Sequence, residues 1–154
     1  MLLGKGDGSF GPGAVYSLIV ASPYSLAVGD LNHDGLPDLV ASTFDLHVTV
    51  FIGKGDGTFR SQVDYTTPTS FAVALADIDR DGKLDIAVAD FESAARMSVL
   101  RGKGDGTFGS PINYATGGTY ADAIVAGNLN RDGRLDLIVA NTGSDNLTVF
   151  LNQP

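Results

Sequence analysis

Cysteine is absent from the chain. That excludes a disulfide framework, a thiolate metal site and a cysteine nucleophile, and it leaves the compartment open. Positive charge is scarce: 10 Lys and Arg stand against 18 Asp and Glu, for a net charge of −8. No basic patch is available to neutralise a phosphate backbone, so nucleic acid is excluded as a partner. No window approaches the ~18 consecutive apolar residues of a membrane helix, so no membrane span is expected. A helical period is also missing, and 20 glycines would interrupt one. Residues 1–5 run directly into a turn motif without an apolar signal core; the expectation is that a leader has been removed or that the chain starts inside a larger protein.

What is present has the composition of one folded domain: 154 residues, 44% hydrophobic and 18% charged. Its dominant motif is the stretch Asp77-Ile78-Asp79-Arg80-Asp81-Gly82-Lys83-Leu84-Asp85, with carboxylates at the first, third, fifth and ninth places. Alternate side chains plus one backbone carbonyl supply the hard oxygen ligands that calcium takes, provided the chain winds tightly around the ion. Gly82 permits that winding. The pattern recurs with Asp30, Asn32, Asp34 and Asp38 around Gly35, and with Asn128, Asn130, Asp132 and Asp136 around Gly133. The carbonyls of Leu36, Lys83 and Arg134 are the expected backbone ligands. Up to three calcium ions per chain are therefore expected, and nine of the 18 acids lie in these loops. The second loop offers four carboxylates, the first three and the third two. Ligand charge is a lever on affinity, so the expected order is second, first, third. Magnesium, which prefers a near-ideal octahedron, suits such loops less well.

A second motif, Gly-Lys-Gly-Asp-Gly-Ser/Thr-Phe, starts at residues 4, 53 and 102, and so recurs every 49 residues; the calcium loops start at residues 30, 77 and 128. One unit carrying both motifs is thus copied three times. Within a unit the periodicity is that of strands, expected at 25–29, 72–76 and 123–127 before the loops and at 39–41, 85–89 and 136–140 after them. Third strands are expected at 48–52, 97–101 and 147–151. Asp-Gly then signals a hairpin into fourth strands at 62–65 and 112–114. The Lys-Gly-Asp tripeptides are read as turn chemistry, not as adhesive ligands.

Four antiparallel strands per unit make an all-β β-propeller blade, with three blade equivalents in the chain. The paired motifs in phase resemble the FG-GAP/VCBS repeats of integrin-α-type propellers and of bacterial surface proteins. Phe10-Gly11 and Phe108-Gly109 match the opening of that family's name motif, whereas Phe59-Arg60 departs from it. The resemblance implies an extracellular or cell-surface location and interaction through loop faces.

The whole chain, 1–154, reads as one domain: residues 1–23 supply a hairpin and a closing strand near 14–20, 24–69 and 70–118 are blades, and 119–154 are the first three strands of a split blade. Three blades fall below the usual range for closure. The expectation is a homodimeric six-bladed propeller, in which residues 2–20 of one chain finish the blade begun by residues 124–151 of the other.

No catalytic set is visible, so no enzyme is expected. His33 and His47 are isolated, and His33 is expected to be a solvated surface residue. The reading ranks a structural, protein-interaction or adhesion module first, a lectin-like glycan binder second and a hydrolase third. Phe44, Phe91 and Tyr120, in or beside loops, are the candidate ligand-binding aromatics; Tyr65 and Tyr114 recur at matched positions and are expected to be packing residues.

Overall fold

Alternating small and branched residues, interrupted every few positions by glycine turns, produce short strands and, among the described residues, no helix. A computed structural model describes residues 2–18, 22–94 and 96–153. Its strands are β1 (Pro23–Gly29), β2 (Asp38–Thr43), β3 (His47–Phe51), β4 (Val63–Thr66), β5 (Ser70–Ala76), β6 (Asp85–Asp90), β7 (Arg96–Leu100), β8 (Ile112–Ala115), β9 (Ala121–Gly127), β10 (Asp136–Asn141) and β11 (Asn146–Phe150). They form three antiparallel sheets in the orders β1-β2-β3-β4, β5-β6-β7-β8 and β11-β10-β9. Each sheet is one blade-like unit, and no helix among the described residues is long and apolar enough to cross a membrane.

The sheets stack face to face, with β5 packed between β1 and β9. Period two explains the two cores. In β6, Ile86 and Val88 face the first sheet and join Val40, Val48, Val50 and Phe108. Ala87 and Ala89 face the third sheet, where they meet Ile124, Leu137 and Val139. The middle sheet thus has both faces covered, and every residue of β6 is buried.

Third strands end one residue earlier than the sequence pattern implies. The carbonyls of Ile52 and Arg101 accept N–H groups from Arg60 and Gly109, which belong to the Gly-Asp-Gly hairpins and not to the ladder. The strand expected near 14–20 is not found over residues 14–18; residues 19 and 20 lie outside those described. Residues 14–18 lie over the outer face of the first sheet, where Tyr16 and Leu18 meet Leu26, Val28 and Phe51, and not along either edge where a ladder could extend. The Tyr16 hydroxyl instead donates to Gly57 O, and its ring meets Phe59 edge-on at 5.2 Å.

Candidate functional site

Both repeated motifs lie at the same end of the sheets, because one joins the first and second strands of each blade and the other leaves the third. In the three hairpins the backbone N–H of Lys5, Lys54 and Lys103 reaches the carbonyl of Ser9, Thr58 and Thr107. The carboxylates of Asp7, Asp56 and Asp105 accept both the N–H and the hydroxyl of those same residues. These hydrogen bonds hold all three carboxyls below their usual range. The Lys-Gly-Asp tripeptides are engaged in turns, and the turn is the same each time.

The acidic loops close in a similar way. The Gly82 N–H donates to Asp77 Oδ2 at 3.0 Å, and the Gly35 N–H donates to Asp30 Oδ2 at 2.9 Å. In the second loop, ligand atoms of Asp77, Asp79 and Asp85 all lie within 4.8 Å of one another. Asp77 Oδ1 is buried with no hydrogen-bond partner. A buried carboxylate oxygen without a donor is costly unless a cation or a proton answers it, so this cluster fits a hard divalent ion. Burial, with repulsion from Asp79 and Asp81, also pushes the Asp85 carboxyl above its usual range despite two N–H donors.

Asp81 is turned to other partners. Its Oδ1 accepts the Lys83 N–H at 3.0 Å, and its Oδ2 takes the Lys83 ammonium at 2.8 Å, which together hold its carboxyl low. Arg101 Nη1 lies 3.3 Å from Asp79 Oδ2. The four carboxylates that single out this loop in the sequence are therefore matched by two bases placed beside them. Among the described residues, no comparable carboxylate trio forms in the first or third loop. There Asn32 and Asn130 donate to Asp34 and Asp132 at 2.9 Å and accept their N–H groups at 3.1 Å. Asn128 begins the third loop on an exposed position, and the Leu36 and Arg134 N–H groups close their turns on Asp34 and Asp132.

The ninth loop position has a task the spacing did not disclose. Asp38, Asp85 and Asp136 are buried, and each carboxylate accepts two backbone N–H groups. One comes from the second loop residue: Leu31, Ile78 or Leu129. The other comes from the second residue after the third strand: Gly53 or Gly102 at the head of its hairpin, or Asn152 after β11. Each carboxylate therefore fastens its loop to the chain leaving the third strand. The join is tight enough that a Cβ at Gly53 or Gly102 would lie 2.2 Å from the carbonyl oxygen of Pro37 or Leu84.

His33 is exposed, as expected, but it is not merely solvated: its Nε2 donates to Gly82 O of the next loop at 3.0 Å. His33, Arg80 and Arg131, all fourth in their loops, have positive φ of 59°, 63° and 64°. In the first two loops the fourth side chain reaches the following loop: His33 meets Gly82, and the Arg80 charge contributes to holding Asp132 low, behind the Arg134 N–H and Asn130.

The opposite end of the sheets carries aromatics. The candidates Phe44, Phe91 and Tyr120 are brought together there by two further rings, Tyr24 and Phe71, each one residue ahead of the strands expected at 25–29 and 72–76. Centroid separations are 5.6 Å for Tyr24–Phe44, 4.5 Å for Tyr24–Phe71, 4.9 Å for Phe71–Phe91 and 5.0 Å for Phe91–Tyr120. The row crosses all three sheets. Register shifts at Pro23/Ser25 and Ser70/Ala72 place Tyr24 and Phe71 in bulges, which turn their rings out of the alternation.

A family model for FG-GAP-like repeats matches residues 30–88 and 77–139. No curated protein matches the chain. The two matched segments overlap and run unbroken from residue 30 to residue 139, most of the chain's length, so the chain belongs to the FG-GAP-like repeat family.

Proposed function

We propose that this FG-GAP-like repeat protein is a calcium-stabilised β-propeller module, working at an extracellular or cell-surface site as a structural or adhesive interaction platform and not as an enzyme. The observation that carries the calcium reading is the second loop, where Asp77 Oδ1 is buried without a donor beside Asp79 and Asp85. Bound calcium would supply the positive charge that these crowded carboxylates lack. Asp77, Asp79 and Asp85 would hold it, with the Gly82 N–H fixing Asp77 and the Ile78 and Gly102 N–H groups fixing Asp85. Asp30 and Asp34 with Asn32, and Asp132 with Asn128 and Asn130, are the weaker sets. Loops of this kind draw on the high calcium of extracellular fluid, which agrees with the proposed location.

Calorimetric titration of the metal-stripped chain tests this. The tightest site should disappear in Asp77→Ala, and chelation should lower the unfolding free energy by about 2–3 kcal/mol at a calcium level ~100 times the dissociation constant. Three equal sites, or a titration unchanged by Asp77→Ala, would overturn the assignment.

Two copies completing one another as a six-bladed ring is the assembly that accommodates the exposed outer faces of the first and third sheets, where Leu26 and Val28 on one side and Val125 and Val149 on the other meet solvent. A second reading, a lectin-like glycan binder, is favoured by the exposed rings of Tyr24, Phe44 and Tyr120 at the other end. A glycan array run with and without chelator decides it, since silence under both conditions removes the lectin.

A further inference from the structure

The two internal joints between sheets are copies of one another, and one of them contains a ring that the other lacks. Between the first and second sheets Phe108, only 5% exposed, is seated in the core with Val48, Val50, Leu31, Ile86 and the flanking Tyr65 and Leu84. Its ring meets Tyr65 edge-on at 5.6 Å, and its N–H donates to the Tyr65 hydroxyl at 3.1 Å. One repeat later the pairing registers place Met97, Val99, Ile78, Leu137, Tyr114 and Leu135 in those positions. All six line a cavity of about 390 Å³ between the second and third sheets. Tyr114 is left with Phe150 at 6.3 Å as its ring contact.

The residue that repeats Phe108 at the other end of the array is Phe10. It occupies the same bridge of the same hairpin, as Gly4↔Phe10 and Gly102↔Phe108 show. It is 61% exposed and makes no ring contact among the described residues. We propose that Phe10 of a second copy fills this cavity, stacking on Tyr114 and donating its N–H to the Tyr114 hydroxyl. This rests on the two-copy assembly proposed above and names the contact that specifies it.

Three features of the joint and its outer sheet select this occupant over an arbitrary apolar group. The cavity lining is the counterpart of a seat this chain already fills with phenylalanine from an identical turn. On its far face, away from the cavity, the third sheet presents Leu147, 69% exposed, at the position that Val48 and Met97 fill in the buried joints, so a further sheet fits beside it. The acceptors left by the missing hairpin also match. Leu31 O accepts the Gly106 N–H in the filled joint, whereas its counterpart Ile78 O is held by the Asn152 amide at 2.6 Å. Gly8 of the incoming hairpin matches Gly106 and Gly4 matches Gly102, so their N–H groups would take Ile78 O and Asp136 from Asn152, which moves aside to solvent. Exchange of hairpins in both directions gives a closed two-fold dimer.

The absence of cysteine makes the test clean. Phe10→Cys and Tyr114→Cys are introduced singly and together, and the calcium-loaded proteins are treated with a short bismaleimide, because a backbone N–H seated on the tyrosine hydroxyl holds the two positions too far apart for a disulfide. The paired variant, or a mixture of the two single variants, should form a covalent dimer that each single variant alone does not. Cross-linking no greater than in the single variants overturns the proposal. Sedimentation equilibrium separates it from the assembly on which it rests. A wild-type chain that is monomeric removes both, whereas a wild-type dimer whose dissociation constant is unchanged in Phe10→Ala keeps the assembly and removes this contact. The expected result is a dimer weakened about 30-fold or more by Phe10→Ala, as loss of a central aromatic anchor implies. Because Phe10 is exposed in the chain, that variant should retain the wild-type fold.

Discussion

Strand β6 begins and ends on a buried aspartate, and the two are held in opposite ways. At the acidic end Asp85 has an N–H for each oxygen, from Gly102 at 2.9 Å and Ile78 at 3.0 Å. At the aromatic end Asp90, 0% exposed, has the Ser98 hydroxyl at 3.0 Å on one oxygen and no partner on the other. That hydroxyl has a single proton, yet it also lies 2.8 Å from Asn113 Oδ1. Burial, only partly offset by Ser98, pushes the Asp90 carboxyl up to about 7. The repeats register the same contrast: β2, β6 and β10 all start on aspartate, but they finish on Thr43, Asp90 and Asn141. The loop end is built around a carboxylate. The aromatic end only tolerates one.

The sharpest way to break the Asp85 end is through its hairpin donor. A Cβ at Gly102 would lie 2.2 Å from Leu84 O, whereas nothing lies within 4 Å of one at Gly4, the first copy of the same position. Gly102→Ala should therefore cost about 3 kcal/mol or more in urea unfolding, since backbone must shift and the Asp85 bond with it. At protein concentrations low enough to keep the copies apart, Gly4→Ala should stay within about 0.5 kcal/mol. Equal losses at both would mean that the glycine serves the turn alone and not the carboxylate.

The difference between the ends also explains what the sequence disclosed. Strand order and loop placement were legible because period-two alternation and a 49-residue repeat are local signals. The aromatic row was only half legible. Phe44 and Phe91 announce themselves in turns, but Tyr24 and Phe71 sit in strands and reach the row through bulges that no alternation encodes. The ninth loop residue was read as a metal ligand because its spacing fits one. Its second task depends on N–H groups just beyond the third strands, 15 to 17 residues along the chain, and such partners are fixed only when the sheet closes. Arg101 is a similar case: the sequence shows four carboxylates with Lys83 among them, and packing brings a second cation from the end of β7.

At the other end, Asp90→Asn sharpens the comparison by removing the charge and leaving the shape. The folded carboxyl titrates near 7, above its ordinary 3.8. Between those values the folded protein holds a proton that the unfolded chain has released, so Asp90 lowers stability progressively as pH rises through this window, and the penalty is complete above it. The variant should gain about 2 kcal/mol over the wild type at pH 8 and little at pH 4, measured by denaturant unfolding in chelator so that the loops do not titrate against metal. Asn141 shows that the third sheet accommodates the amide at the matching place, with its Nδ2 donating to Asn146 and Thr148. A gain of the same size at both pH values would show that the charge is not the cause.

The smallest effect concerns the rings themselves. Phe71 stacks between Tyr24 and Phe91, 4.5 Å and 4.9 Å from them, in contacts that carry no net charge. Phe71→Leu keeps most of the apolar bulk and removes the ring pairing, for an expected loss of about 1 kcal/mol. Because the acidic loops lie at the far end of the strands, that loss should be the same with calcium and with chelator, even though the wild-type stability itself moves between the two conditions. A loss that changes with calcium would show that the two ends are coupled through β5 and β6, and the contrast between Asp85 and Asp90 would then describe one cooperative unit and not two independent ends.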